Sequence, residues 1–368
     1  MKKLTIVLFV FFVGFISESY ALPRFALRTG GACIDCHVNP TGGGMRNESG
    51  WGYGKNNLKL FNTYSNDEFE MSPYIGKNIL FGIDYRTQYL AKFDSTQKRT
   101  DFQNMTGAVY LNIEANEYLN LYAHYDFVQS LWQGYAIANI LPFKGYIKVG
   151  TFSPNFGIRT DDHTAYTRGG DFGILASQKG LIYDPFYSET GIELGFNFNE
   201  FTNFTVSAGN PSRALFIKDP TYTTRLQFTP SFGDLNLLAG GSYASYKRGF
   251  LGNIRNINMY GGFFGLQLEE FSLLAEYDMA KSIINQDSLS TALMIEVSYR
   301  ITKGLEAVVR YDRFDRNTEV TKDELSRIVL GVEFFPYSFI EIRPQFRINM
   351  EEPKIDNNAF VLQFHFWY

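Results

Sequence analysis

The chain has 368 residues, and its 34 Lys+Arg against 38 Asp+Glu leave a formal net charge of −4, with no basic patch to hold nucleic acid. Aromatic residues reach 17%, with 35 Phe and 24 Tyr, yet mean hydropathy is only −0.17. A helical membrane protein would be far more apolar and a water-soluble core needs fewer rings, whereas a barrel with lipid outside and water inside accommodates both numbers.

In chain order, Met1-Lys2-Lys3 is a positive start and Leu4 to Ile16 an apolar stretch too short to span a bilayer comfortably. Ser19-Tyr20-Ala21 adds the small residues a signal peptidase reads, which predicts a signal peptide over 1–21 and a mature chain from about Leu22. After it, no apolar run approaches the length of a spanning helix.

Cys33-Ile34-Asp35-Cys36-His37 follows, and it holds the only two cysteines of the chain. Cys-x-x-Cys-His is the attachment pattern of a c-type haem: the two thiols add across the vinyl groups, and the adjacent imidazole becomes the proximal iron ligand. A disulfide across two residues would be strained or redox-active, and no second Cys pair completes a zinc tetrahedron. One covalent haem c, on Cys33, Cys36 and His37, is therefore predicted. Residues 22–77 hold too few apolar side chains for a core of their own. Gly42-Gly43-Gly44, Gly50, Gly52 and Gly54 predict little regular structure there. An exposed haem edge is costly in water, so the expectation is a small haem segment packed into the periplasmic mouth of the barrel. A freely tethered mini-cytochrome is the alternative. For the sixth iron ligand the candidates are Met45, His124, His163 and His365, or an open position.

From about Asn78 to Tyr368 the pattern changes to period-2 segments broken by turns. Ile79, Phe81, Ile83 and Tyr85 alternate with Gly82, Asp84 and Arg86; Leu119, Leu121, Ala123 and Tyr125 with Asn120, Tyr122 and His124; Ile192 to Phe198 with Glu193, Gly195 and Asn197; Ile340, Ile342 and Phe346 with Glu341, Arg343 and Gln345. The ring-rich faces suit lipid and the charged faces a lumen. Short turns, such as Glu269-Glu270 and Thr302 to Gly304, alternate with longer polar loops, among them Asp94 to Asp101 and Lys281 to Ser290. The count gives an all-β fold: a transmembrane antiparallel barrel of about 16 strands over 78–368, in the outer membrane of a Gram-negative-type bacterium. Its last strand runs to Phe366-Trp367-Tyr368, a terminal aromatic like the signal read by the outer-membrane assembly machinery. One connection is out of scale, about thirty-five residues between Phe152 and Ser188. By count it corresponds to the loop that folds inward in general porins. Its Asp161-Asp162-His163 cluster is a candidate cation site, weighed against a solvated turn.

The stretch Leu22-Pro23-Arg24-Phe25-Ala26-Leu27-Arg28-Thr29-Gly30-Gly31-Ala32, leading into Cys33 to His37, resembles the opening of the fused cytochrome–porins. These outer-membrane proteins join one N-terminal haem c to a barrel and include iron oxidases of Fe(II)-oxidising bacteria. The chain departs from them after His37, where Val38-Asn39-Pro40-Thr41 replaces a Phe-Gly-rich run, and it is shorter. The resemblance implies electron transfer between an extracellular donor or acceptor, Fe(II) among them, and a periplasmic cytochrome. A diffusion porin with a haem-bearing gate or sensor is the alternative function. A peroxidase-type enzyme would need an open sixth position and a distal acid–base residue, and no convincing pair offers itself.

Overall fold

A computed structural model describes residues 24–62, 71–94, 98–158, 164–169, 187–211, 219–248, 255–283, 287–351 and 357–368. The expected signal peptide, 1–21, lies outside the described residues, as do Asp161, Asp162 and His163.

Sixteen long strands run in chain order among the described residues. They are β1 (Ile79–Asp94), β2 (Lys98–Asn116), β3 (Leu119–Asp126), β4 (Leu131–Leu141), β5 (Gly145–Phe152), β6 (Glu189–Asn199), β7 (Thr202–Pro211) and β8 (Thr221–Phe228). The second half comprises β9 (Leu235–Arg248), β10 (Arg255–Leu268), β11 (Phe271–Lys281), β12 (Leu289–Thr302), β13 (Leu305–Asp315), β14 (Leu325–Phe334), β15 (Ile340–Glu351) and β16 (Asn357–Trp367). Each is antiparallel to its neighbours, and β16 pairs with β1, Val361 facing Leu90 and Phe366 facing Tyr85. The sheet is a closed barrel, so every long strand finds two partners and no open edge meets lipid. A closed barrel of this kind is the architecture of outer-membrane proteins.

Alternation decides which face is which. Ile83, Tyr85, Leu121, Tyr125, Ile192 and Phe346 are exposed on the outside, while Gln88, Tyr122, Glu193, Glu341 and Arg343 are buried within. In a soluble protein so many exposed rings would be a liability; facing hydrocarbon they are the stable arrangement. Inside, the charges are paired: Lys148 with Glu193 at 2.6 Å, Arg310 with Asp312 at 3.0 Å, Arg327 with Asp312 at 2.8 Å and Arg343 with Glu341 at 2.9 Å.

Two inserts occupy the lumen. The long connection after β5 folds inward over 153–158 and 164–169, whose side chains are mostly buried. Its backbone is held by the far wall: Gly157 N–H donates to Ser242 Oγ at 2.9 Å, Arg225 Nε to the Gly157 carbonyl at 2.8 Å and Arg327 to the Thr164 carbonyl at 2.8 Å. The second insert is residues 24–62, with helices α1 (Arg24–Thr29), α2 (Cys33–Cys36) and α3 (Glu48–Asn56). Leu27 of α1 packs with Leu238, Phe263 and Leu274 of the wall and with Ile158 and Ala165 of the inward loop, so the two inserts share one core. At its other end the segment meets the short turns. Leu60 N–H donates to the Phe335 carbonyl, Lys303 to the Asn56 carbonyl and Ser338 to the Lys55 carbonyl, all within 2.8 Å. The segment therefore sits in the mouth at the short-turn end, which is periplasmic in bacterial barrels.

Two expectations need correction. Residues 48–56, where closely spaced glycines predicted little regular structure, form α3. The Asn47 side chain caps it by accepting from Gly50 N–H at 3.0 Å, and the missing side chain at Gly50 lets the helix lie directly on the Cys36 carbonyl. Asp94 to Asp101 is not a long loop, because β1 and β2 extend through most of it, leaving only residues 95–97 between them.

Candidate cofactor site

The haem-type motif is built on one turn of helix. His37 N–H donates to the Cys33 carbonyl at 2.9 Å, and Asp35 accepts from Ala32 N–H at 2.7 Å at the start of that turn. Residues three apart on a helix lie on one side, so both thiols face the same way, with His37 at the exit. No disulfide joins the two cysteines. Burial raises the Cys36 thiol above its ordinary pKa, Asp35 adds to this and Arg46 opposes it. The next ten residues fold back over the turn. Val38 N–H donates to the Met45 carbonyl at 3.1 Å, His37 and Arg46 form a bridge, and Asn47 N–H reaches the Cys36 carbonyl at 3.1 Å. Gly42, at φ +81°, makes the reversal; a Cβ there would come within 3.1 Å of Cys33 Sγ. Asn39 anchors this loop to the wall by accepting from Lys148 at 3.1 Å.

A cavity of about 380 Å³ opens beside the turn. Cys33, Cys36 and His37 line it from the segment; Tyr110, Tyr122 and His124 line it from β2 and β3. Its lining continues to Asp126 and Leu131, at the opposite end of β3 and β4 from the short turns. The β3 residues that line it, from Tyr122 to Asp126, cover about 13 Å of strand at the usual rise per residue, so the cavity runs up the half of β3 remote from the short turns. Aromatic side chains stack along it: Tyr110 on His124 with ring centroids 4.7 Å apart, and Tyr122 on Tyr135 at 4.5 Å. A second cavity, about 510 Å³, lies on the other side of α2, lined by Cys33, Ile34 and Asp35 and by the short turns carrying Lys144 and Glu200.

The structure separates the candidate sixth ligands. His124 lines the cavity with His37. His365 does not; its Nδ1 is 2.9 Å from Glu341 and its Nε2 3.3 Å from Asp84, carboxylates on either side. Met45 is buried in the wall cluster with Tyr110, Tyr122 and Tyr135. His163 and the Asp161-Asp162-His163 cation site fall outside the described residues, and no metal-ligand cluster is found among the described ones. Three lumen carboxylates are engaged: Asp126 accepts from Val128 and Gln129 N–H groups, Glu193 holds Lys148, and Glu276 accepts from Arg168 at 2.7 Å.

Sequence reasoning missed the residues that hold the segment in place. Arg24 pairs with Glu333, and Arg28 with Glu306, inside the mouth. Burial works against the Arg24 charge, but Glu333, Glu306 and Glu296 outweigh it and hold its pKa above the ordinary value. The available signal was parity: Glu306 and Glu333 fall on the inward face of β13 and β14, and inward carboxylates need cations.

No protein-family model matches the chain, and no curated protein matches it. Solved structures share the fold, among them one described as an outer-membrane channel and others as outer-membrane proteins. The DcaP channel of Acinetobacter baumannii superposes with a TM-score of 0.58 at 10% identity, covering 79% of this chain and 97% of that one. OmpF of Salmonella typhi, in complex with daunomycin, gives 0.59 at 10% identity over 79% and 98%. OprB of Pseudomonas putida at high pH gives 0.59 at 10% identity over 79% and 94%. The chain has a porin fold. As a likeness of fold, this stands nearer to the channel alternative than to electron transfer.

Proposed function

We propose that this porin-type barrel binds one haem c through Cys33 and Cys36, with His37 as proximal iron ligand, and carries electrons between an extracellular donor or acceptor and a periplasmic cytochrome. The observation that supports it most is the single cavity that begins at Cys33, Cys36 and His37 and follows β3 to Asp126 and Leu131. An apolar band about 25 Å tall insulates the two faces of the membrane, so a redox centre must sit within it to couple them. Haem held there supplies a one-electron couple whose potential the surrounding protein sets. The chain's own residues do the rest. The α2 turn presents both thiols to one side, the Gly42 reversal and Asn47 keep that turn closed, and Arg24 and Arg28 fix the segment against Glu333 and Glu306. Exposed Ile34 and Asp35, facing the second cavity at the short turns, offer the periplasmic carrier its approach. Fe(II) is the donor class that the fused cytochrome–porin resemblance implies.

The channel reading, with residues 24–62 as a gate, is favoured by the fold likeness alone. Two measurements on protein purified from a host with haem c maturation separate the readings. Haem staining of a denaturing gel should be positive for the parent and lost in Cys33→Ser/Cys36→Ser. Mixing with Fe(II) or other one-electron donors in a stopped-flow instrument should reduce the haem within turnover time. A haem-free parent with large steady conductance in planar bilayers would leave only the channel.

A further inference from the structure

We propose that His124, on the barrel wall, is the sixth ligand of the haem iron, so that the iron is held between an imidazole of the segment and an imidazole of the membrane strand. This rests on the haem reading above and names the group that completes it.

The geometry narrows the choice. His124 faces inward from β3 and lines the cavity that His37 also lines. Its Nε2 is buried and has no hydrogen-bond partner among the described residues. A buried imidazole nitrogen without a partner costs free energy, and such a group calls for an explanation by a ligand. Its ring plane is already set, because Tyr110, directly across the ladder in the β2–β3 register, stacks on it at 4.7 Å with planes 13° apart. The ring is thus pre-oriented, as an axial ligand must be. The other candidates are committed elsewhere: His365 lies between Glu341 and Asp84, and Met45 packs among the wall tyrosines.

Depth adds a second argument. His124 is five residues into β3 from the short-turn end, about 17 Å along the strand and about 13 Å in depth at a tilt near 40°. The segment enters from the mouth and the wall ligand lies near mid-membrane. Coordination by both would draw the iron from the periplasmic rim toward the centre of the insulating band. It would also tie the segment to the barrel by a metal–ligand bond in addition to the Arg24 and Arg28 ion pairs.

The test is spectroscopic. Pyridine haemochrome assay on denatured protein first reports haem content, independent of the sixth ligand; a parent without covalent haem would overturn the function proposed above. In haem-loaded parent, absorption and electron paramagnetic resonance spectra should be low-spin in both oxidation states. His124→Gly should keep its haem content but become high-spin, and millimolar imidazole should restore the low-spin spectrum. His124→Met, which keeps a ligand of similar reach, should remain six-coordinate with a raised midpoint potential. Heat-modifiable migration on gels shows that each barrel is closed. A low-spin His124→Gly without imidazole, or a high-spin parent, would sink the His124 assignment while leaving the haem in place. Met45→Ala, carried in parallel, should leave the spin state unchanged; a change there instead would move the ligand to Met45.

Discussion

Gly50 and Gly52 lie two residues apart in α3, and the same substitution should act in opposite directions at the two. Glycine inside a helix costs roughly 0.8–1 kcal/mol relative to alanine, so Gly→Ala is stabilising where space allows. At Gly52 nothing lies within 4 Å of an added Cβ. Gly52→Ala should therefore stabilise the segment by about 0.8–1 kcal/mol, making local opening roughly fourfold to fivefold rarer. At Gly50 the added carbon would overlap the Cys36 carbonyl, which is backbone and cannot swing aside. Forcing a methyl into packed structure costs about 1–3 kcal/mol. That outweighs the propensity gain by about 1 kcal/mol, so opening should become about fivefold more frequent. Because the carbonyl belongs to the haem-type turn, the same shift should loosen Cys36 relative to Cys33. Hydrogen exchange of residues 24–62 in detergent-solubilised protein reads the local opening free energy directly. The two variants should bracket the parent and differ by about twentyfold in opening. If both slow exchange alike, α3 does not rest on Cys36, and the packing that closes the turn is wrong.

Two further outcomes follow from the lumen. Glu333→Gln removes the main partner of buried Arg24, and loss of one member of a buried pair costs about 3–5 kcal/mol. Glu296 and Glu306, 3.7 and 3.8 Å from the guanidinium, keep the effect at the low end. Protease protection of the segment should fall accordingly; a change below about 1 kcal/mol would count against the ion pairs as its anchor. Arg168→Met strips the clamp that ties the inward loop to Glu276 on the wall and braces the loop on its own Ile158 carbonyl, leaving the buried Glu276 carboxylate without its cation and with the Ile158 N–H still donating to it. Planar-bilayer recordings should show higher and noisier conductance than the parent, and an unchanged trace would mean that the loop is held by other contacts.

The barrel was legible in the sequence because one rule, alternation, acts independently on every strand. Ile83 outward and Asp84 inward follow from chemistry that needs no partner. The even strand count and the short turns came from the same source. The segment was harder to read. Gly50, Gly52 and Gly54 are poor helix formers by propensity, and it takes the Asn47 cap, the packing of Trp51 and the close approach of Gly50 to Cys36 to explain α3 there. Arg24, Arg28, Glu306 and Glu333 are far apart in sequence, so their pairing is a property of the closed barrel. The haem-type motif stands at the other extreme: Cys33, Cys36 and His37 are local, and alternation already turned His124 inward, while the structure adds that His124 shares a cavity with His37 and stacks on Tyr110.

Trp51 of α3 lies against Phe339 and Tyr368, with ring centroids 5.3 and 5.8 Å apart, and Arg46 lies over Trp367. Tyr368 in turn exchanges backbone hydrogen bonds with Ile83, at the seam where the last strand meets the first. The part of the seat that holds Trp51 and Arg46 thus exists only once the seam has zipped. The full set of contacts around the segment is therefore complete only in a molecule whose first and last strands have met.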